Sequence, residues 1–291
     1  MALLTDTLPV GPPETPEKIN DLTTRILANN PNFMTGPGTN TYIIKSPNHI
    51  VIIDPGPDLP EHEEAVLKSL GSTKDKTVLM LLTHTHIDHC PLAYKLSKQF
   101  NWTIGLYEPD PNFANEVTIA DNQELKFTSF SIKVIHTPGH TADHLCYLLR
   151  PLNILFSGDH IIGQSTTVIL PPEGSMSAYL KSLERIKELI NRNSLSAIMP
   201  GHGGSPVKPK EFIDQIIKFR LKREDKVLTA LQALESATIE QLLPLAYDDT
   251  DKSLYPVAKY SLWAHLLKLA QDGVVKSSTM QLDSLWHYIK S

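Results

Sequence analysis

The stretch Thr83-His84-Thr85-His86-Ile87-Asp88-His89 determines how the rest of the chain is interpreted. It places three imidazoles and one carboxylate within six residues, directly after the wholly apolar run 78–82. Because that run has no alternation of apolar and polar residues, it predicts a strand buried on both faces. Histidine and aspartate are poor interior residues unless a charged group compensates them. A buried strand that leads into four such side chains therefore predicts a metal site.

Three later apolar segments also run into loops that carry histidine or aspartate. The segments and the side chains that follow them are 132–135 with His136 and His140, 154–156 with Asp159, and 197–199 with His202. Of the twelve histidines, eight lie in or beside the four loops, which random scatter would not produce. Sites assemble where strand ends meet, so we expect the four loops to converge. Mixed strands and helices with short connections further predict sheets packed between helices.

The converging side chains form two sets of potential metal ligands. The first set is His84, His86 and His140, and the second is Asp88, His89 and His202. Three imidazoles around one ion leave a coordination position open for water, as in catalytic zinc sites. Asp159 is the expected bridge, since one carboxylate can offer an oxygen to each of two ions. Two ions about 3.5–4 Å apart lower the pKa of a shared water, which fits hydrolysis with the shared hydroxide as nucleophile.

Two aspartates are the predicted catalytic residues. Asp159 would bridge the ions, and Asp88 would orient the hydroxide or accept its proton. Imidazole and carboxylate ligands favour two zinc ions per chain, with iron or manganese as alternatives. The competing interpretation of all seven side chains is a hydrogen-bonded polar cluster in the core. Seven residues in register make that interpretation the weaker one.

Composition and charge narrow the class of protein. The 291 residues carry a formal net charge of −5, so binding of nucleic acid would need a local basic patch. Two distant cysteines, Cys90 and Cys146, fit a reduced compartment. The first residues lack the pattern of a secretory signal or a transit peptide, and no run approaches the roughly 20 apolar residues that span a membrane. We therefore expect a cytoplasmic protein without a membrane partner, or a mitochondrial one in a eukaryote, and the sequence indicates no oligomeric state.

The chain divides into an arm and two folded parts. Residues 1–22 are rich in proline and predict an extended arm. Residues 23–234 form the predicted main domain, and residues 235–291 form a smaller C-terminal domain. Helices at 239–246 and 257–271, with a hairpin of 274–277 and 285–289, predict a winged-helix-like unit there. That unit could grip nucleic acid, cap the site or make a dimer contact.

A helix from 211 to about 234 joins the two folded parts. Its period would direct Phe212, Ile216, Phe219 and Leu221 inward. Its outer face would carry five cations, which are Lys218, Arg220, Lys222, Arg223 and Lys226. These cations could hold phosphates, although a solvated helix surface is the commoner explanation of such a face.

These motifs resemble those of the metallo-β-lactamase superfamily. The His-x-His-x-Asp-His at 84–89, the Pro-Gly-His-Thr at 138–141, the Ser-Gly-Asp at 157–159 and the Pro-Gly-His-Gly at 200–203 occur in that family's order. The resemblance covers about residues 23–205. It implies an α+β fold, an αββα sandwich with the metals at one edge, to which the winged-helix-like domain is appended.

A narrower resemblance is to the β-lactamase-like protein 2 group. It lies in Gly38-Thr39-Asn40-Thr41-Tyr42, in 137–144, in Thr166-Thr167-Val168 and in the helical tail. Members of that group act as endoribonucleases on single-stranded RNA, and fungal relatives with similar motifs act as acyl-carrier thioesterases. Many members have Ser-Gly-Gly where this chain has Cys90-Pro91-Leu92, a difference that bears on the loop geometry and on any contact the loop makes with substrate.

Three functions follow from these observations. The first is endoribonuclease-type cleavage of single-stranded RNA, and the second is hydrolysis of a thioester or acyl ester, as in an acyl-carrier thioesterase or glyoxalase II. The third is a non-catalytic module that binds nucleic acid and holds structural metals, against which the open coordination position counts. A narrow apolar pocket beside the metals would favour acyl groups, whereas a wide basic groove would favour RNA.

Several residues near the motifs have two interpretations. Asp54 is either a carboxylate that fixes a ligand imidazole or a turn residue, and the family pattern favours the former. His144 and His136 could touch substrate or act as general acids, although His136 is expected to be structural. We expect His160 and Cys90 to be packing residues. The histidines outside every motif are expected at the surface, and they are His49, His62, His265 and His287.

Overall fold

Two β-sheets lie face to face in the computed structural model, which describes residues 6–109, 113, 115–163, 165–193 and 195–290. The first sheet contains β1 Glu17–Lys18, β2 Thr23–Leu27, β3 Asn40–Lys45, β4 His49–Ile53, β5 Thr77–Leu81, β6 Thr103–Leu106 and β7 Glu116–Thr118, in chain order. The second contains β8 Glu124–Lys126, β9 Ser131–His136, β10 Leu145–Arg150, β11 Ile154–Gly158 and β12 Ala197–Pro200. Its strand order is β12-β11-β10-β9-β8, with β11 and β12 parallel.

Helices cover the outer face of each sheet. The four helices are α1 Pro60–Leu70, α2 Pro91–Phe100, α3 Met176–Asn193 and α4 Pro209–Leu234. One layer of buried side chains joins the first sheet to α1 and α2, and another joins the second sheet to α3 and the start of α4. A third layer lies between the sheets and includes Ile53 and Tyr147. This helix–sheet–sheet–helix order confirms the predicted αββα sandwich.

The apolar strands lack alternation because both of their faces are buried. In β10, Leu145 and Tyr147 pack between the sheets, whereas Cys146 and Leu148 pack against the helices. Successive side chains of a strand point to opposite faces, so a strand between two apolar layers needs apolar residues at every position. Such strands fix the positions of the loops that follow them.

The C-terminal residues build a small separate core. It contains α5 Ile239–Ala246, a 3-10 turn Lys252–Leu254, α6 Tyr255–Gln271 and the strands β13 Ser236–Ala237, β14 Val275–Lys276 and β15 Trp286–Tyr288. The strands pair in the order β13-β15-β14, which confirms the predicted hairpin. Thr238 and Gln241 form a capping box that begins α5. Within the described residues, no helix combines the length and the apolar composition needed to cross a bilayer.

Helix α4 connects the two cores. Phe212 near its start packs with the second sheet, whereas Leu231 near its end packs with α5 and α6. At the other end of the chain, Leu8 N donates to the carbonyl of Ser205 at 2.8 Å, so the N-terminal segment lies against the loop that precedes α4. The divisions after residues 22 and 234 stay predictions.

The prediction for α4 is wrong for two of the five cations on its outer face and for one of the residues expected to face inward. Arg220 and Arg223 are only 3% and 6% exposed, and Leu221, predicted to face inward, is 47% exposed. Ile216, Arg220, Arg223 and Val227 follow a spacing of three to four residues and so share one buried stripe. The guanidinium group of Arg220 donates a hydrogen bond to the carbonyl of Thr167 in the sandwich. That of Arg223 donates to the carbonyl of Ala246 in the C-terminal part.

Two histidines predicted at the surface are buried. His62 is fully buried, with Nδ1 2.8 Å from Glu14 Oε2, and His265 is fully buried, with Nδ1 3.2 Å from Glu224 Oε2. Each carboxylate comes from a distant part of the chain, and a buried imidazole needs such a partner. Sequence spacing contains no sign of either pair.

Candidate metal centre

The four predicted loops meet at one edge of the sandwich. They follow the carboxyl ends of β5, β9, β11 and β12 and bring the seven predicted ligands together. Five of the seven are buried, whereas His86 and Asp88 are partly exposed. Ile87, between these two, is 84% exposed. The cluster therefore opens to solvent on the side of the 84–89 loop.

Two groups of nitrogen and oxygen atoms face each other across short distances. In the first group, His86 Nδ1 lies 3.0 Å from His84 Nε2 and 3.1 Å from His140 Nε2. In the second group, Asp88 Oδ2 lies 3.3 Å from His89 Nε2 and 3.2 Å from His202 Nε2, and these two nitrogens are 3.2 Å apart. The ligand atoms of each group lie within 4.8 Å of one another, so each group could hold one ion.

Hydrogen bonds on the far side of the rings fix which nitrogen faces the cluster. His140 Nδ1 donates to the carbonyl of Val168 at 2.8 Å, and His202 Nδ1 donates to the carbonyl of Gly38 at 3.1 Å. A carbonyl oxygen can only accept, so each Nδ1 carries the proton. In the neutral form of each ring, Nε2 therefore presents a lone pair to the cluster.

Asp54 holds two further rings in the same tautomer. Thr83 Oγ1 donates to Asp54 Oδ2 at 2.7 Å, so the hydroxyl must accept from His84 Nδ1 at 3.0 Å. His89 Nδ1 donates to Asp54 Oδ2 at 2.9 Å. Asp54 is 1% exposed and has a φ of 47°, which directs its side chain to these partners. These contacts fit the interpretation of Asp54 as a carboxylate that fixes ligand imidazoles.

Asp159 lies between the two groups. Its Oδ1 is 3.4 Å from His89 Nε2 and 3.3 Å from His202 Nε2, and its Oδ2 is 3.6 Å from His140 Nε2. Among the described residues, Oδ1 is buried without a hydrogen-bond partner. Converging lone pairs and an unpartnered carboxylate oxygen repel each other unless cations lie between them. The donor set therefore fits two metal ions, which when bound would lower the pKa of a shared water and polarise an attacked oxygen.

Neighbouring carboxylates raise the pKa values of the two imidazoles in the second group. Burial disfavours the charged form of His89, but Asp159, Asp54 and Asp88 raise the pKa of this imidazole well above its ordinary value. For His202 burial likewise acts against the charge, yet Asp159 and Asp88 raise the pKa to about 9. Near neutral pH these two rings therefore hold extra protons, which a metal ion must displace.

Zinc binding to the metal-free protein is expected to release protons near pH 7. The raised pKa of His202, about 9, means that proton competition weakens as the pH rises towards that value, so zinc affinity should increase over this range. Calorimetric titrations in buffers of different ionisation enthalpy measure the protons released. A binding enthalpy that is the same in every buffer would contradict this expectation.

The substitution Asp54→Asn is expected to weaken zinc binding by about 10–100-fold without removing a ligand. The amide keeps the size of the side chain but cannot accept from Thr83 and His89 with both oxygens. Competition with a chromogenic chelator measures the affinity. The matched control is Asp58→Asn, in the same loop, because Asp58 pairs with Lys95 and lies outside the cluster. Equal zinc affinities of the two variants would show that Asp54 does not orient the rings.

His144 lies behind the cluster instead of facing the substrate side. It is fully buried, its Nε2 accepts from the main-chain N–H of Asp159 at 3.1 Å, and its Nδ1 is 2.9 Å from Thr137 Oγ1. Burial lowers the pKa of His144 well below its usual value, so the ring is neutral. It therefore positions Asp159 through the main chain, and a role as general acid does not fit.

Other residues near the motifs are structural. The His136 ring stacks on Tyr107 with ring centres 4.0 Å apart, and its Nε2 is 2.8 Å from the carbonyl of Ala142. His160 is fully buried, and burial lowers its pKa to about 3. Cys90 is a buried thiol whose pKa burial raises to about 11, so it is not a reactive thiolate.

Gly139 allows the loop of His140 to pass α3. Its φ is +147°, and a Cβ at this position would lie 2.3 Å from the Cα of Tyr179. We expect Gly139→Ala to lower the melting temperature and to weaken metal binding, because the loop must move. The control is Gly71→Ala, at a φ of +66° with no atom within 4 Å of the added Cβ. Equal losses of stability in the two variants, measured by thermal unfolding, would argue against this overlap.

A cavity of about 300 Å³ adjoins the second group of ligands. It lies between the sandwich and the C-terminal core, and its lining includes Phe33, Val168, His202, Arg220, Arg223, Tyr247, Leu254 and Val257. Most of the lining is apolar, with two guanidinium groups among it. Thr166, Thr167 and Val168, which at the level of sequence supported only the family resemblance, form one wall of the cavity. The contribution of α4 was missed because arginine is usually exposed.

Comparison with known protein families distinguishes the same two parts of the chain, the sandwich and the C-terminal part. The sequence model of the Metallo-beta-lactamase superfamily matches residues 34–202, which is more than half of the chain. The chain belongs to the metallo-β-lactamase superfamily. The Beta-lactamase associated winged helix domain matches residues 238–286, which confirms the winged-helix prediction.

Relatives within the superfamily include two named groups. A Beta-lactamase-like protein 2 homolog of Caenorhabditis elegans is 32% identical over 90% of this chain and 88% of its own, and one of Drosophila melanogaster is 31% identical over 91% and 93%. An Atrochrysone carboxyl ACP thioesterase of Aspergillus fumigatus is 30% identical over 72% of this chain and 65% of its own.

A solved structure supports the fold of the whole chain. A beta-lactamase domain protein from Burkholderia ambifaria has a TM-score of 0.78 at 17% identity, over 98% of this chain and 96% of its own. This similarity concerns the metallo-β-lactamase fold alone. Family membership makes the chain a hydrolytic enzyme, as predicted, with a His/Asp cluster that could bind two metals.

Proposed function

We propose that the protein is a di-metal hydrolase of acyl thioesters. The observation that carries this proposal is the mostly apolar cavity of about 300 Å³ against His202. An acyl chain in this cavity would bury apolar surface next to the ions, which stabilises binding by about 0.8 kcal/mol per buried CH₂. The carbonyl would then lie at the metals.

The ligands and their roles are part of the same proposal. We infer that one ion is held by His84, His86 and His140, and the other by Asp88, His89 and His202, with Asp159 shared between them. Zinc is the proposed metal, with iron or manganese as alternatives. Asp88 is partly exposed, and its Oδ2 accepts from Thr39 Oγ1 at 3.1 Å, which holds the carboxylate at the second group of ligands. There it would orient the attacking hydroxide or accept its proton.

The names of two relatives favour a thioester as the class of substrate. The fungal relatives named Atrochrysone carboxyl ACP thioesterase are similar over most of this chain, including one from Aspergillus chevalieri at 29% identity over 89% of it. The name describes those proteins, and we extend only its reaction class to this chain.

Cleavage of single-stranded RNA is the competing proposal, and the structure gives it less support. It depended on the resemblance to the β-lactamase-like protein 2 group and on a basic outer face of α4. Two relatives share that group's name, but Arg220 and Arg223 of the helix are buried. Lys226 Nζ lies 2.9 Å from Asp249 Oδ2, so part of the remaining charge is neutralised. No relative reported above is named for an action on RNA.

The deciding experiment offers both substrates to the zinc-loaded full-length protein. N-acetylcysteamine thioesters of increasing acyl length test the first proposal, and a fluorescent single-stranded RNA tests the second. Thioester turnover that Asp159→Ala removes and Asp214→Ala keeps would support the proposal, since Asp214 is a surface residue paired with Lys187. RNA cleavage with inert thioesters would reject it.

A further inference from the structure

Arg220 is a buried charge that forms no ion pair within the described part of the chain. Three arginines are buried among the described residues, and they are Arg25, Arg220 and Arg223. Arg25 pairs with Glu17 at 2.5 Å, and Arg223 pairs with Asp249 at 2.8 Å. Among the same described residues, no carboxylate forms an ion pair with Arg220, and its Nε is buried without a hydrogen-bond partner. An uncompensated buried charge is costly, so an anion that visits the site would be strongly favoured.

The surroundings of Arg220 present its guanidinium to the cavity. Its side chain lines that cavity, and its carbon Cζ lies 5.5 Å from the centre of the Tyr179 ring. Its Nη2 donates to the carbonyl of Thr167. Thr167 Oγ1 in turn donates to the carbonyl of Asp159, so only one residue separates the arginine from the proposed bridging ligand. A substrate group that occupies this cavity beside His202 would therefore lie close to this charge.

We propose that Arg220 forms an anion subsite of the active site, which binds an oxyanion group of the substrate away from the scissile carbonyl. The inference rests on the proposed thioesterase function and narrows its substrate class. In a thioester the oxyanion is either a carboxylate on the acyl chain or the phosphate of a pantetheine arm. Guanidinium binds both through charge-assisted hydrogen bonds. The apolar side chains that line the cavity would exclude water around the Arg220 guanidinium and strengthen this contact.

Matched substrates test the subsite in the zinc-loaded full-length protein. The first pair is glutaryl-N-acetylcysteamine and its methyl ester, and the second is butyryl-pantetheine 4′-phosphate and butyryl-pantetheine. We expect the charged member of one pair to have a kcat/KM larger by about tenfold or more. Arg220→Gln should reduce that ratio to about one, Arg220→Lys should keep part of it, and Arg25→Gln should keep it fully. The pair that responds identifies the source of the oxyanion.

Binding measurements separate this inference from the proposed function. Calorimetry compares glutarate with its monomethyl ester, and pantetheine 4′-phosphate with pantetheine, none of which contains a thioester. If no thioester is hydrolysed but one charged ligand binds about tenfold more tightly through Arg220, the subsite stands and the thioesterase proposal fails. If thioesters are hydrolysed but the ratios are near one, or are unchanged in Arg220→Gln, the subsite is overturned. If Arg220→Gln does not fold, wild-type ratios near one still overturn the subsite, and a ratio that falls in Arg220→Lys supports it.

Discussion

Asp159→Ala is expected to lower kcat/KM by about a thousandfold or more, equivalent to about 4 kcal/mol of transition-state stabilisation. The reason is the position of this carboxylate between the two groups, with Oδ1 3.3 Å from His202 Nε2 and Oδ2 3.6 Å from His140 Nε2. Its loss removes an oxygen from both proposed ions at once. We also expect the variant to retain less metal, as measured by elemental analysis after dialysis.

The comparison variant for this prediction is Asp159→Asn. It keeps the shape of the side chain and one oxygen, so metal retention should lie between that of wild type and that of Asp159→Ala. Asp214→Ala controls for the loss of a carboxylate elsewhere, because Asp214 pairs with Lys187 at the surface. Full activity of a correctly folded Asp159→Ala variant would refute the role assigned to this residue.

Trp286→Ala is expected to destabilise the C-terminal core by about 3–5 kcal/mol, the usual cost of removing a buried tryptophan. Trp286 is fully buried among α5, α6 and β14. Chemical denaturation monitored by circular dichroism measures the free energy of unfolding. Trp286→Phe, which leaves a smaller void, should cost less.

The same substitution has an expected effect on catalysis. Tyr247, Leu254 and Val257 belong to the C-terminal part and line the cavity. If Trp286→Ala loosens that part, the KM for long acyl thioesters should rise more than the KM for an acetyl thioester. Unchanged stability together with unchanged KM values would show that the C-terminal core does not support the cavity.

Much of the sandwich could be predicted from the sequence because its strands are buried on both faces. Helix α5 coincides with the segment predicted at 239–246, and β11 and β12 contain the apolar segments 154–156 and 197–199. The position of the ligand cluster could also be predicted from the sequence, since the candidate ligands lie in loops that follow apolar strands. Helix α2 was missed, although Pro91 at its first turn is a start signal.

The cavity and its charges could not be predicted in this way. Arginine is usually a surface residue, but Arg220 is buried because α4 packs against Thr167 and Tyr179 of the sandwich, beside residues of the C-terminal part. The same holds for His62 and His265, whose partners are 48 and 41 residues away. Burial that depends on contacts between distant segments leaves no periodic signal in the local sequence.

Anomalous diffraction from crystals of the zinc-loaded protein tests the central claim most directly. We predict two peaks about 3.5–4 Å apart, with Asp159 between them. One peak should lie among His84, His86 and His140, and the other among Asp88, His89 and His202. An absence of peaks in this cluster, or zinc bound elsewhere on the chain, would contradict the account.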